Sequence, residues 1–469
     1  MWLSTFSCCY AKDAIRVLGA GPEILVDDEF IAAKAGIVRQ THPCEKLDEP
    51  VMISKEPWEW SEIDRRIYVY GSVERNETGE ALRLWYNRNH LVLLANSTDG
   101  LRWQRPALGL FEWNGTRDNN IVLPYLHSPS VVRNDKTADP DQRYQMLGYA
   151  KEPQRGYHAA HSADGIDWKL HPRNPVLPGG DTCTLAFDPA SGEYLAFHKL
   201  YREHRGHKRR LVYLATSPDM QDWSEPQLVL APDEIDDAQV HAEGGLFAQF
   251  YNLSVFPYAG QFLGLVTLFH FSGPPKRRGP LQSGHDGAVD VQLVHSRDGR
   301  SWRRCEDRSP VIPVGPAAYD AGCILGVTNG PVVMGNEVWF YYTAITTTHG
   351  GFVPEKAITI GLAKWRIDGF VSLGAGADGG TIETVPLRCT GSQLVVNTDA
   401  RDGSLAVAVL DEHGNALGGF AEQDCQIITG NSIRQPVRWK LHDRIPNGQP
   451  LQLRFHLKNA KLFSFAVVK

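Results

Sequence analysis

Apolar residues along this chain fall in short runs broken by polar loops carrying Gly, Asp or Asn, a texture that predicts many short strands and few helices. Over the first 370 residues or so the runs come in pairs: IYVYGSV with LRLWY, SPSVVRN with YQMLGYA, CTLAFD with YLAFHKL, NLSVFPY with FLGLVTLFH, and NGPVVM with VWFYYTAI. Between the pairs a second pattern recurs, Ser-x-Asp-Gly-x-x-Trp. It stands at Ser97–Trp103, Ser162–Trp168, Ser217–Trp223 (where Met220 replaces the glycine) and Ser296–Trp302. A fifth, degenerate copy, Trp365–Phe370, keeps only Asp368 and Gly369 of the turn.

The spacing of these copies, roughly 55 to 80 residues, suits a propeller blade with its loops and exceeds the period of tighter solenoids. In each copy the Asp and Gly form a tight turn between outer strands, and the Trp packs back over the blade. Counting the strands on either side of each turn gives about four per repeat, the propeller unit. The reading is therefore all-β: a five-bladed β-propeller over residues 23–372, after an N-terminal extension over 1–22. Beyond Phe370 a Gly-rich link leads to alternating runs such as QLVVNT, LAVAVLD and PLQLRFHL, which predict a C-terminal antiparallel β-sandwich over 381–469.

Composition narrows the function classes. The formal charge is −6, from 48 basic and 54 acidic residues, so no broad positive field is present to hold nucleic acid or an anionic membrane surface. The basic run His204–Arg210 reads as a solvated loop, with a patch for an anionic substrate as the alternative. No apolar stretch is long enough to span a bilayer. The first twenty residues lack the basic and apolar regions of a signal peptide, which favours a cytoplasmic protein, or a secreted one already trimmed. Eight cysteines are scattered without metal-site spacing and read as buried free thiols.

The five repeats, the segment DPASGEYLAF, an early Val26-Asp27-Asp28, the Pro57-Trp58-Glu59 tripeptide and the trailing sandwich together resemble the five-bladed propeller glycoside hydrolases. That superfamily holds invertases, levansucrases, arabinanases and xylosidases, and within it the chain is most similar to an uncharacterised group related to glycoside hydrolase family 32. The resemblance implies a carbohydrate substrate and a channel-borne pair of carboxylates. The invertase signatures Asn-Asp-Pro-Asn-Gly, Arg-Asp-Pro and Glu-Cys do not occur in this sequence, so fructosidase activity is not implied.

Glycoside hydrolysis needs one acid to protonate the leaving oxygen and one carboxylate to attack or to activate water. In a propeller such groups sit at the heads of the inner strands, which converge on one funnel. The candidates are Asp181, whose place at the head of the third inner strand resembles that of the superfamily's middle acid, then Glu243, Glu59 and Asp320, with Asp286 and Asp290 as substitutes. Of the four, Asp181, Glu243 and Asp320 stand beside small residues that let a ligand approach. His127, His198, His241 and His270 are candidates for sugar hydroxyls, and Trp58 and Tyr251 for ring contact. No metal and no cofactor is expected. The expected function is cleavage of a terminal glycosidic bond in an oligosaccharide or small glycoside; a non-catalytic carbohydrate-binding propeller, or a transferase or lyase on the same scaffold, is the alternative.

Overall fold

The computed structural model describes residues 15–19 and 21–469, so most of the expected N-terminal extension, with Cys8 and Cys9, lies outside the described residues. Strands dominate, and they divide between two compact units: residues 43–304 with 309–364, and the described residues up to 42 with 305–308 and 365–469.

The larger unit is a five-bladed propeller. Its first three blades are separate four-stranded sheets opening with Val73–Arg75, His127–Arg133 and Cys183–Asp188. The fourth runs Phe247–Tyr258, Gln261–Gly273, Asp286–Ser296 and Arg303–Arg304. The fifth runs Cys323–Val327, Glu337–Ile345 and Ile358–Arg366, and its outer strand is supplied from the start of the unit, where Glu45 and Lys46 pair antiparallel with Lys364 and Ala363. Pairing the beginning of the unit with its end removes the open edge that an unclosed ring of sheets would carry.

The repeated turn works as its residues suggest, and it also joins blades. Asp99 Oδ1 accepts from the backbone N–H of Leu101 and Arg102, both at 2.9 Å, and Ser97 Oγ accepts from Gly100 N–H at 2.8 Å. Trp168, Trp223 and Trp302 each donate Nε1–H to the carbonyl three or so positions back, at Gly165, Met220 and Gly299. The glycine position is left-handed, with φ +75° at Gly165, and a Cβ there would lie 2.9 Å from the Trp85 ring of the preceding blade. Trp85 in turn donates to the Gly165 carbonyl at 2.9 Å, and Tyr341 does the same to Gly100 at 2.8 Å.

Around the channel, side chains stitch each blade to the next. Ser72 Oγ donates to Val131 O at 2.6 Å, Ser130 Oγ accepts from Leu185 N–H at 2.8 Å, Thr182 Oγ1 donates to Tyr251 O at 3.4 Å, and Ser254 Oγ donates to Val327 O at 2.6 Å. Thr343 closes the circuit, donating to Val69 O at 2.8 Å and accepting from Val69 N–H at 2.9 Å. Farther along the inner strands, Asn329 Nδ2 reaches Leu185 O at 2.7 Å and Ser130 Oγ at 3.0 Å, and so crosses between the fifth, third and second blades.

The second unit is a curled nine-stranded sheet built as a sandwich. Its longest strand, Gln393–Leu410, pairs with Ala460–Val468 through its first half and with Gln452–Lys458 through its second, and its pairing with Ile428–Pro436 shifts register between Ala400 and Leu405. Val396, Val407, Trp439, Phe455 and Phe465 fill the core between the layers. Residues 23–41, grouped with the propeller by the sequence reading, pair here instead: Glu23–Ile24 with Ala460–Val468, Ile31–Ala35 with Gly380–Thr384, and Val38–Thr41 with Val371–Ala375. These are short runs whose alternation fits either sheet, and only strand partners distinguish the two. The six described cysteines form no disulfide with one another, and Cys183, Cys305, Cys323 and Cys425 are buried. No helix among the described residues is long and apolar enough to cross a membrane.

Thr343→Val keeps the side-chain shape but strands both backbone groups of Val69 in the core. We expect a loss of about 1–3 kcal/mol for the buried groups left unpaired, read as a lower denaturation midpoint in urea; an unchanged midpoint would show that the circuit does not hold the blades.

Candidate active site

Asp181 stands at the head of the third inner strand in a left-handed conformation, φ +86°, that non-glycine residues seldom adopt. Its carboxylate is held from three sides. Lys199 Nζ lies 2.5 Å from Oδ2, the Tyr251 hydroxyl donates to Oδ2 at 3.2 Å, and His127 Nε2 is 3.4 Å from Oδ1. The Lys199 side chain is 2% exposed whereas that of Asp181 is 42% exposed, so the acid is open at the mouth of the funnel while its cation is sunk beneath it.

Each neighbour is fixed in turn. His127 Nδ1 lies 3.0 Å from the Asn89 carbonyl and 3.1 Å from Asn87 Nδ2, with Tyr68 and Tyr70 edge-on to its ring. Tyr251 occupies a bulge, since the register shifts between Phe250 and Asn252, and its ring packs under Lys199 with the ammonium 3.4 Å from the centroid. Packing against His349 holds the same ring from another side, at 5.4 Å between centroids.

Electrostatics follow from this packing. Burial would raise the Asp181 carboxyl, but the Lys199 ammonium and the His127 hydrogen bond outweigh it and keep the acid ionised well below the usual carboxylate range. Burial lowers Lys199 to about 8, with Arg210 adding to the effect and Asp181 opposing it. Burial also drops His349 to about 3, so its imidazole is neutral. An accessible carboxylate kept ionised in a shielded mouth can accept a proton, activate water or attack an electrophilic carbon.

Of the other expected site residues, several stand apart. Glu59 is fully buried: both oxygens are taken by Arg105 at 2.9 and 3.1 Å, by the Tyr86 hydroxyl and by the Lys55 N–H at 2.7 Å. Asp320 is fully buried too, with Lys46 Nζ at 2.7 Å and the Tyr342 hydroxyl at 2.8 Å. Neither can meet a substrate, and both serve the packing of their blades. Trp58 is a core side chain whose Nε1–H donates to Asn120 at 2.6 Å. His198 is 2% exposed, edge-on to Tyr157, with both ring nitrogens unpartnered and burial lowering it to about 4.

Glu243 does not contact Asp181. It caps the helix Glu234–Ala242, and its Oε2 lies 2.7 Å from His270 Nδ1. His270 Nε2 is 3.1 Å from Asp290 Oδ2; burial lowers its affinity for a proton, but the two carboxylates reverse the balance and raise it. His241, on the same helix, has Nε2 2.7 Å from the Leu246 carbonyl. Asp286 is tied to the backbone N–H groups of Gly287 and Gly350 at 2.8 and 2.9 Å. No group of three His, Cys, Asp or Glu side chains among the described residues is arranged to hold a metal ion.

Lys199 is not among the residues expected from sequence, and Arg210 enters there only as part of the basic run His204–Arg210, expected as a solvated loop with an anionic-substrate patch as the alternative. The basic run that contains Arg210 is no loop: it forms a hairpin of Glu193–His204 with His207–Ser217, and Arg209 and Arg210 are 1% and 4% exposed. Strand alternation was the available signal, because His198 and Lys199 must face opposite sides.

No family model and no curated protein matches the chain. Among solved structures it is similar to an N-acetylgalactosamine deacetylase from F. plautii in complex with blood group B trisaccharide, at 14% identity over 72% of this chain and 97% of that one, TM-score 0.45. It is also similar to a Bombyx mori family 32 β-fructofuranosidase, at 10% identity over 90% and 94%, TM-score 0.42. A third is the α-L-arabinofuranosidase of Podospora anserina in complex with cellotriose, at 10% over 70% and 98%, TM-score 0.42. The fold rests on the chain's own strand pairing.

Because the folded pKa of Asp181 is depressed, its ion pair stabilises the protein fully above the ordinary aspartate range, and that stability is lost progressively as pH falls through that range toward the depressed value. Carboxyl NMR should therefore show Asp181 ionised throughout about pH 3–5, where ordinary carboxylates titrate. Lys199→Met removes the main opposing charge, and the titration should move up into that range or above it; an unshifted titration would refute the assigned cause.

Proposed function

We propose that the chain is a glycosidase acting at the end of an oligosaccharide or on a small glycoside, with Asp181 as the carboxylate that reacts or activates water. The carrying observation is that Asp181 is open to solvent, held ionised over buried Lys199, and fixed in a left-handed turn where the inner strands converge. Strained, charge-tuned groups in a concavity are characteristic of reacting sites. Terminal rather than internal cleavage is the reading we favour because Asn329, whose hydrogen bonds join the fifth, third and second blades farther along the inner strands, is in position to narrow the channel behind Asp181. His127 and Tyr251, which already touch Asp181, are the side chains placed to orient sugar hydroxyls.

A second reading is a carbohydrate-binding propeller without turnover. Hydrolysis by paired carboxylates needs a second acid free to act across the bond, and the carboxylate of Glu243 is engaged with His270.

Wild type, Asp181→Asn and Glu243→Gln should be compared on a panel of nitrophenyl glycosides and natural oligosaccharides. Asp181→Asn is expected to lower kcat by about 10²–10⁴-fold, and Glu243→Gln by less than about 10-fold if its carboxylate only pairs with His270. Turnover that survives Asp181→Asn would end the assignment, and sugar binding without turnover by wild type would establish the second reading.

A further inference from the structure

Arg210 is a cation buried beside the funnel mouth with no anion of its own. Its guanidinium carbon sits over three rings, 5.3 Å from the Tyr251 centroid, 5.2 Å from Phe269 and 5.1 Å from Tyr201. One nitrogen, Nη1, donates to Gln249 Oε1 at 2.9 Å. Its Nε is buried without a hydrogen-bond partner, and no carboxylate pairs with the side chain among the described residues. Arg209, the adjacent residue, shows the usual alternative: it is equally buried but bonded to Asp237 through both terminal nitrogens.

Removing a guanidinium from water without a counter-ion is unfavourable, and contact with aromatic faces offsets only part of that cost. The same Tyr251 ring that Arg210 covers also carries Lys199, and the Tyr251 hydroxyl donates to Asp181. Two cations and one anion therefore share a single ring, leaving one positive charge unmatched at the site. Both cations also bear on His285 and His349, whose imidazoles burial and this surplus keep neutral.

We propose that Arg210 is a specificity residue for an anionic sugar, one bearing a carboxylate or a sulfate ester, and that the missing counter-ion is supplied by the substrate. This rests on the carbohydrate site proposed above and names its substrate class. A planar carboxylate suits the free edge of a guanidinium, through paired charge-assisted hydrogen bonds. Tyr251 links the two groups, its ring lying 5.3 Å from the Arg210 guanidinium carbon and its hydroxyl donating to Asp181, so a substituent that reaches Arg210 belongs to the sugar unit held at Asp181.

The test is calorimetric binding of methyl glucuronide and galacturonate against methyl glucoside and galactose, with galactose 6-sulfate as the arm that separates sulfate from carboxylate. Wild type is expected to bind one of the acidic sugars at least about 10-fold more tightly than its neutral counterpart. Added NaCl should weaken the acidic sugar and leave the neutral one unchanged. Arg210→Met should abolish the preference, and it should melt no lower than wild type, because an unpaired buried charge has been removed. If that variant does not fold, Arg210→Lys should retain a reduced preference for the charged sugar. Equal affinity for charged and neutral sugars, no binding of any acidic sugar, or an undiminished preference in Arg210→Met would overturn the proposal. Asp181→Asn separates the two readings: loss of turnover with the acidic preference intact supports both, whereas turnover that persists there rejects the reacting carboxylate and leaves the Arg210 result standing on its own.

Discussion

The propeller depends on hydroxyl groups that satisfy backbone N–H and C=O across the gap between neighbouring inner strands. Adjacent blades meet too obliquely for a continuous ladder, and buried backbone groups left without partners would each be costly. Ser72, Ser130, Thr182, Ser254 and Thr343 fill that need at successive seams. Their effect reaches the site because Asp181, Tyr251 and His127 all lie within a few residues of one of these bonds. A seam that loosened would move one head relative to the others, and the contacts at 2.5 to 3.4 Å around Asp181 would not survive it.

Given rigid heads, the character of the mouth is set by which charges are buried and which are exposed. Lys199 is the sunken member of its pair and Asp181 the open one. That order matters, because a buried ammonium beneath a more exposed carboxylate keeps the carboxylate ionised without covering it. Lowering Lys199 to about 8 is the counterpart of the same arrangement: the cation loses water so that the anion can keep it.

The architecture was legible because it repeats. Asp99, Asp164, Asp219 and Asp298 cap the same turn, and the glycine beside three of them is required by contact with a neighbouring blade, so the sequence marks both the turn and the seam. Site chemistry was only partly legible. Asp181 stood out by its position at a strand head, but Glu59 and Asp320 share that kind of position and are sealed by Arg105 and Lys46, partners more than forty residues away in sequence. Local sequence carries no record of such partners. His198 and Lys199 show a finer limit, since a strand shifted by one residue exchanges a core imidazole for a site ammonium. Arg210 was hidden by its company: in a seven-residue run with four Lys or Arg and two His, burial is the exception, and only the hairpin pairing of Arg202 with Arg209 and Tyr201 with Arg210 reveals it.

Irregularities at the strand heads explain how a symmetric scaffold acquires an asymmetric site. Register shifts fall between His127 and Ser130 in the second blade, between Phe250 and Asn252 in the fourth, and between Ile324 and Val327 in the fifth. A regular strand would send Tyr251 to the face dictated by alternation, whereas the bulge frees it to lie under Lys199 with its hydroxyl on Asp181. Thr267 fixes that bulge by accepting from the Asn252 N–H at 2.7 Å. The third blade has no such shift in its first strand pair and uses the left-handed backbone of Asp181 instead. Thus the repeat supplies five equivalent positions, and departures from it, each stabilised by its own local bond, select which side chains face the funnel.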